Sequence, residues 1–61
     1  MNIMKKAEEK AQKGFMVFTI SRNLNSEEVK ALQEKGCHVN GRTISFPEGS
    51  FFYRIAYKAQ H

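Results

Sequence analysis

The chain has no tryptophan, no aspartate, one proline and one cysteine among its 61 residues. A lone thiol, Cys37, excludes an intramolecular disulfide. With only His38 and His61 as further soft ligands, no zinc-type spacing exists and no metal or cofactor is expected. A single cysteine suits a reducing cytoplasm, the expected location, better than secretion. No stretch of about 18 consecutive apolar residues occurs, so no membrane span is expected. The N-terminus also lacks the apolar core of a signal peptide. A block of about five like charges is absent too, which excludes a basic or acidic tail.

Negative charge comes from six glutamates alone, against ten lysines and arginines, for a net charge of +4. The excess of about +2 in residues 1–13 recurs in residues 37–61, while residues 14–36 balance. Such a charge favours anionic partners without identifying one. Five Phe and two Tyr, with Ile, Val, Leu and Met, supply one small core. The expected organisation is a single small domain over residues 1–61, near the lower size limit for folding unaided. Dimerisation would add the buried area that so short a chain lacks.

Residues 2–13 read as a helix rich in Lys, Glu, Ala and Gln, with Gly14 placed as its left-handed cap. Its apolar face, Ile3, Met4, Ala7 and Ala11, is narrow, so the helix is marginal alone and docks on the domain or on a partner subunit. The period then changes. In residues 15–20, Phe15, Val17 and Thr19 point one way and Met16, Phe18 and Ile20 the other. Both faces are apolar, which predicts a strand covered on both sides or lying at a homodimer seam.

LNSEEVKALQEKG, residues 24–36, is a helix with a capping box of Asn25 and Glu28, a staple of Leu24 and Val29, and Gly36 at its end. Asn40-Gly41 then marks a tight turn between residues 37–39 and 42–46. Pro47-Glu48-Gly49-Ser50 marks a second turn before an expected strand at residues 51–58. Pairing residue 39 with 42, and residue 46 with 51, puts Cys37, Val39, Ile44, Phe46, Phe51, Tyr53, Ile55 and Tyr57 on one face. The other face receives His38, Thr43, Ser45, Phe52, Arg54, Ala56 and Lys58. The fold class is therefore α+β, a small α-β-α-β-β(-β) domain whose antiparallel or mixed sheet carries a helix on one face.

Chemistry-bearing patterns are few. Lys13-Gly14-Phe15 resembles the opening of the basic-glycine-aromatic strand of RNA-recognition motifs. Val17 and Ile20 then replace the aromatics that stack bases, and the stretch reads as a helix cap followed by a core strand. Cys37 and His38 are neighbours in a strand and so point to opposite faces, which rules out a nucleophile–base dyad. The glutamates lie on helices and a turn with no second group to complete a catalytic set, so an enzyme is not expected.

The expected function is non-enzymatic binding of nucleic acid, or a regulatory role, through a basic sheet face. Arg54, Lys58, His38 and, from the loop, Arg22 would track phosphates while Phe52 stacks on a base. The alternative is a protein-interaction module, an inhibitor or adaptor of a larger protein or a homodimer, using Phe15, Val17 and Met4.

Overall fold

A computed structural model describes residues 2–61 of the chain. The elements run α1 (Ile3–Gln12), β1 (Val17–Thr19), α2 (Ser26–Glu34), β2 (His38–Asn40), β3 (Thr43–Ser45) and α3 (Phe51–Gln60). Three helices and a small three-stranded antiparallel sheet make a small α+β domain, with helix packed on sheet.

Both predicted helix ends are built as expected, by the same device. After α1, the Gly14 N–H donates to Ala11 O at 2.9 Å and the Phe15 N–H to Lys10 O at 3.0 Å. This pair of reverse bonds is a Schellman motif, and it requires a residue at positive φ, which Gly14 supplies at +87°. After α2, Gly36 and Cys37 donate to Gln33 O and Leu32 O in the same pattern. Cys37 and Leu32, the flanking pair that usually makes the accompanying apolar contact, are both buried. Lys13-Gly14-Phe15 is therefore a helix terminus. The α2 start is the predicted capping box: Asn25 Oδ1 accepts from the Glu28 N–H at 2.8 Å, and Glu28 Oε1 accepts from the Asn25 N–H at 3.1 Å.

The sheet order is β1-β3-β2, so β3 is central. Ile44 lies opposite Phe18 on one side and Val39 on the other. Asn40 pairs with Thr43, which makes Gly41-Arg42 the turn, rather than the expected Asn40-Gly41. Among the described residues only glycines have positive φ, and Gly41 is at +63°. A positive φ at the first central residue alone is the type II′ arrangement, whereas the expected turn would have needed Asn40 there as well. The register therefore moves by two residues, which leaves every side chain on its expected face. Phe18, Ile44 and half-buried Val39 face the helices. Val17, Thr19, His38, Asn40, Thr43 and Ser45 form the opposite face, where the Thr19 and Thr43 hydroxyls share a hydrogen bond of 3.1 Å. That face is left to solvent, so the expectation of cover on both sides of β1 is not met.

The main correction concerns residues 51–60, which form helix α3 and not a fourth strand. Aromatic content and alternation at 51, 53, 55 and 57 favoured a strand, but Phe52, Ile55, Ala56 and Ala59 also recur at i, i+3, i+4 and i+7. The helical pattern wins because it buries Phe52 and Ala56 in the core, with α3 packed on α1 and Phe52 against the Phe46 ring. α1 and α3 pack broadly on each other through small residues, with Ala7, Ala11 and Ala56 fully buried. A Cβ at Gly14 would lie 3.2 Å from Gln60 Cγ, so the two helices end side by side. In this structure the first helix packs on α3 of the same chain.

Both ends of α3 are pinned. The Phe51 N–H donates to Lys35 O at the end of α2 at 2.9 Å. Gln60 Nε2 donates to Gly14 O at 2.6 Å. Because Phe52 is 3 % exposed and Phe51 58 %, Phe52→Ala is expected to cost about 3–5 kcal/mol, enough to unfold a domain this small. Phe51→Ala should shift stability by less than about 1 kcal/mol. Thermal melts of the two variants check this, and equal losses would contradict the helix.

Candidate nucleic-acid interface

The face of α3 turned from the core is set by helix geometry. With Phe52 and Ala56 inward, Arg54, Tyr57, Lys58 and His61 recur at i, i+3, i+4 and i+7 along the outer side, and all four are exposed. The helix contains no acid. Its aromatic groups form a ladder beside the cations: Tyr53 and Tyr57 stack with centroids 5.9 Å apart, and Tyr57 meets the His61 ring at 4.4 Å. Phe51 starts the helix in the open, in a T-shaped pair with Phe52 (centroids 5.1 Å apart) and with Lys35 Nζ 4.9 Å from its ring centroid.

The surface continues past both helix ends. At the C-terminal end, Gln60 Nε2 donates to Gly14 O, next to Phe15, whose ring centroid lies 5.1 Å from Lys10 Nζ. At the N-terminal end, Gly49, Ser50, Phe51, Tyr53, Arg54 and Ile55 line a groove of about 350 Å³. Ser50 holds the N-cap position, yet its hydroxyl makes no capping bond and is buried without a partner. A Cβ on Gly36 would come within 3.1 Å of Ser50 Cα, so the end of α2 presses directly on this turn.

The residues expected to form one basic sheet face are distributed over several places. Arg54 and Lys58 share the outer stripe of α3, away from the sheet. His38 alone is on the open sheet face, among Thr19, Asn40, Thr43 and Ser45. Phe52 is buried, its centroid 5.2 Å from that of Phe46, and has no face to offer a base. Arg22 is exposed but tied down: Nη1 and Nη2 donate to Glu28 Oε1 and Oε2 at 2.8 and 2.6 Å. Of the expected protein-contact residues, Phe15 and Val17 are 48 % and 55 % exposed near the β1 edge, while Met4 is half-buried against the core. Tyr53, Tyr57, His61 and Phe51 did not emerge as surface partners of Arg54 and Lys58. The spacing of Arg54, Tyr57, Lys58 and His61 was the available signal, hidden by the strand reading.

Two other features bear on chemistry. Burial pushes the Cys37 thiol up to about 11, so it stays protonated at neutral pH and is a poor nucleophile. Among the described residues, no group of three His, Cys, Asp or Glu side chains could hold a metal ion, and no helix is long and apolar enough to cross a membrane. The chain matches no family model, no curated protein and no solved structure.

The Arg22–Glu28 pair gives a pH test. The Arg22 hydrogen bonds, then the Asn25 N–H, hold the Glu28 carboxyl at about 2, below its ordinary 4.5. A depressed carboxyl stabilises the fold fully above its ordinary value, and that contribution is lost as pH falls from 4.5 through about 2. Glu28→Gln keeps a cap acceptor without the charge. Its melting temperature should fall less across this window than that of the parent; parallel curves would show that the pair contributes nothing.

Proposed function

We propose that the protein is a small non-enzymatic nucleic-acid-binding protein that makes contact through the outer stripe of α3. The observation that carries this reading is the acid-free face of Arg54, Tyr57, Lys58 and His61 on one helix. Cations spaced along a helix of about 15 Å can follow a phosphate backbone. Tyr57, a residue 49 % exposed beside them, would offer a base a stacking surface. Lys35, over the Phe51 ring, extends the positive strip at the N-terminal end of the helix. This interface replaces the sheet face as the basic surface, and His38, Phe52 and Arg22 have no part in it. A reducing cytoplasm is the compartment this reading implies, given a single free thiol.

A second reading, an adaptor or inhibitor that docks on a larger protein, draws on exposed Phe51 and Tyr57 beside Arg54, the residue types that dominate protein interfaces. The two readings differ in salt dependence. If about three phosphates are neutralised, affinity for a single strand should fall with a log–log salt slope of about −2. Apolar protein contacts should change little. Arg54→Glu with Lys58→Glu should abolish retention of the protein on single- or double-stranded nucleic acid at low salt, with the fold intact by circular dichroism. Tyr57→Ala should weaken single-strand binding by about 1–3 kcal/mol while leaving the salt slope unchanged. A parent protein that shows no retention at low salt eliminates the nucleic-acid reading.

A further inference from the structure

The two edges of the sheet are treated differently. At the β2 edge, α2 packs against the strand. At the β1 edge, β1 packs broadly only on β3. The ladder between those strands uses alternate residues of β1: Phe46 N–H donates to Met16 O at 2.8 Å, Phe18 lies opposite Ile44, and Ile20 N–H donates to Arg42 O at 3.0 Å. In an antiparallel strand the residues between these turn their backbone groups the other way. Val17 and Thr19 therefore direct their N–H and C=O groups outward, and among the described residues neither backbone has a partner there.

Native edges are blunted by lysine, proline, a bulge or a very short strand, and of these β1 has only its three-residue length. Residues 14–21, GFMVFTIS, contain no charge and no proline, and the β1–β3 register is unbulged. We propose that this edge pairs with the β1 edge of a second copy of the chain. Self-complementarity of the edge favours a second copy over an unrelated strand. A two-fold axis through Phe18 sets Val17 opposite Thr19 of the second copy and Thr19 opposite its Val17. Each of these pairs exchanges two backbone hydrogen bonds, so the four outward residues satisfy one another. The result is a continuous six-stranded antiparallel sheet.

Side chains agree with this pairing. Val17 and Thr19 of both copies meet on the open face, where Val17 is now 55 % exposed. Phe15, 48 % exposed, lies alongside Ser21 of the second copy. Phe18 approaches its own equivalent beneath the sheet and joins the two cores. Charge also selects this strip: each chain carries +4, and two copies meet with least repulsion along an uncharged stretch. Arg22, the nearest cation after the strand, is already neutralised by Glu28. A strand of three residues offers little area, which places the dimer among small interfaces of less than about 1,200 Å² in total, so it is a weak one.

Light scattering from about 10 μM to about 1 mM tests the proposal, with amide exchange followed at both extremes. The mass should rise with concentration from 7.0 kDa toward twice that value, and the Val17 and Thr19 amides should slow in step. Val17→Pro removes only an N–H that β3 does not use, and Thr19→Lys puts a charge on the edge. Each should weaken association at least about tenfold with an unchanged circular dichroism spectrum, and His38→Lys on the other edge should leave it unaltered. If Val17→Pro does not fold, Thr19→Lys carries the test. A parent that stays monomeric throughout overturns the proposal, as does association undiminished in the folded variants. Val17 and Thr19 amides that slow only when a foreign strand is added would assign the edge to another protein, and would equally overturn it.

Discussion

The rest of the structure depends on the inward position of Phe52. Its ring lies 5.2 Å from that of Phe46, which in turn lies 5.9 Å from Phe18, so one chain of aromatic contacts joins α3 to the segment after β3 and to β1. Offset and tilted rings at these separations contribute beyond the area they bury. Once Phe52 faces inward, the helical repeat leaves no choice about the outer face. Arg54, Tyr57, Lys58 and His61 must then face solvent, so the composition of this outer face is a consequence of core packing.

The core that holds this arrangement is thin. Leu32 and Ile44 are its largest fully buried side chains, and much of the helix–helix seam is alanine. Small residues allow α1 and α3 to approach closely, but each buries little area, so the domain relies on well-made ends. Two Schellman termini, one capping box and the bonds pinning α3 at Lys35 and Gly14 supply these. The helices cover one face of the sheet only. Among the described residues no further element covers the other, and none packs on the outer edge of β1.

Those parts of the fold governed by local chemistry were legible in the sequence. Asn25 and Glu28 define the start of α2 through bonds made within four residues, and Gly14 and Gly36 end helices because few other residues accept their backbone geometry. The separation of buried Phe18, Ile44 and Phe46 from exposed His38 was legible too, since it depends on alternation alone. What was not legible is the class of residues 51–60. FFYRIAYKAQ satisfies both a two-residue and a 3.6-residue repeat, and its aromatic residues favour strands. Only tertiary packing decides between them. With that helix misread, the candidate site was misplaced: Arg54 and Lys58 were identified as functional residues but assigned to the sheet, and Phe52 was placed on the surface when it is central to the core.

The acid-free outer face of α3 thus has one cause, the helical placement of residues 51–60 with Phe52 inside. Nuclear Overhauser contacts in solution test that placement most directly. The account predicts sequential helical contacts along residues 51–60 and a ring-to-ring contact between Phe46 and Phe52. Cross-strand contacts between Phe46 and Phe51 and between Ile44 and Tyr53, without the helical series, would contradict it.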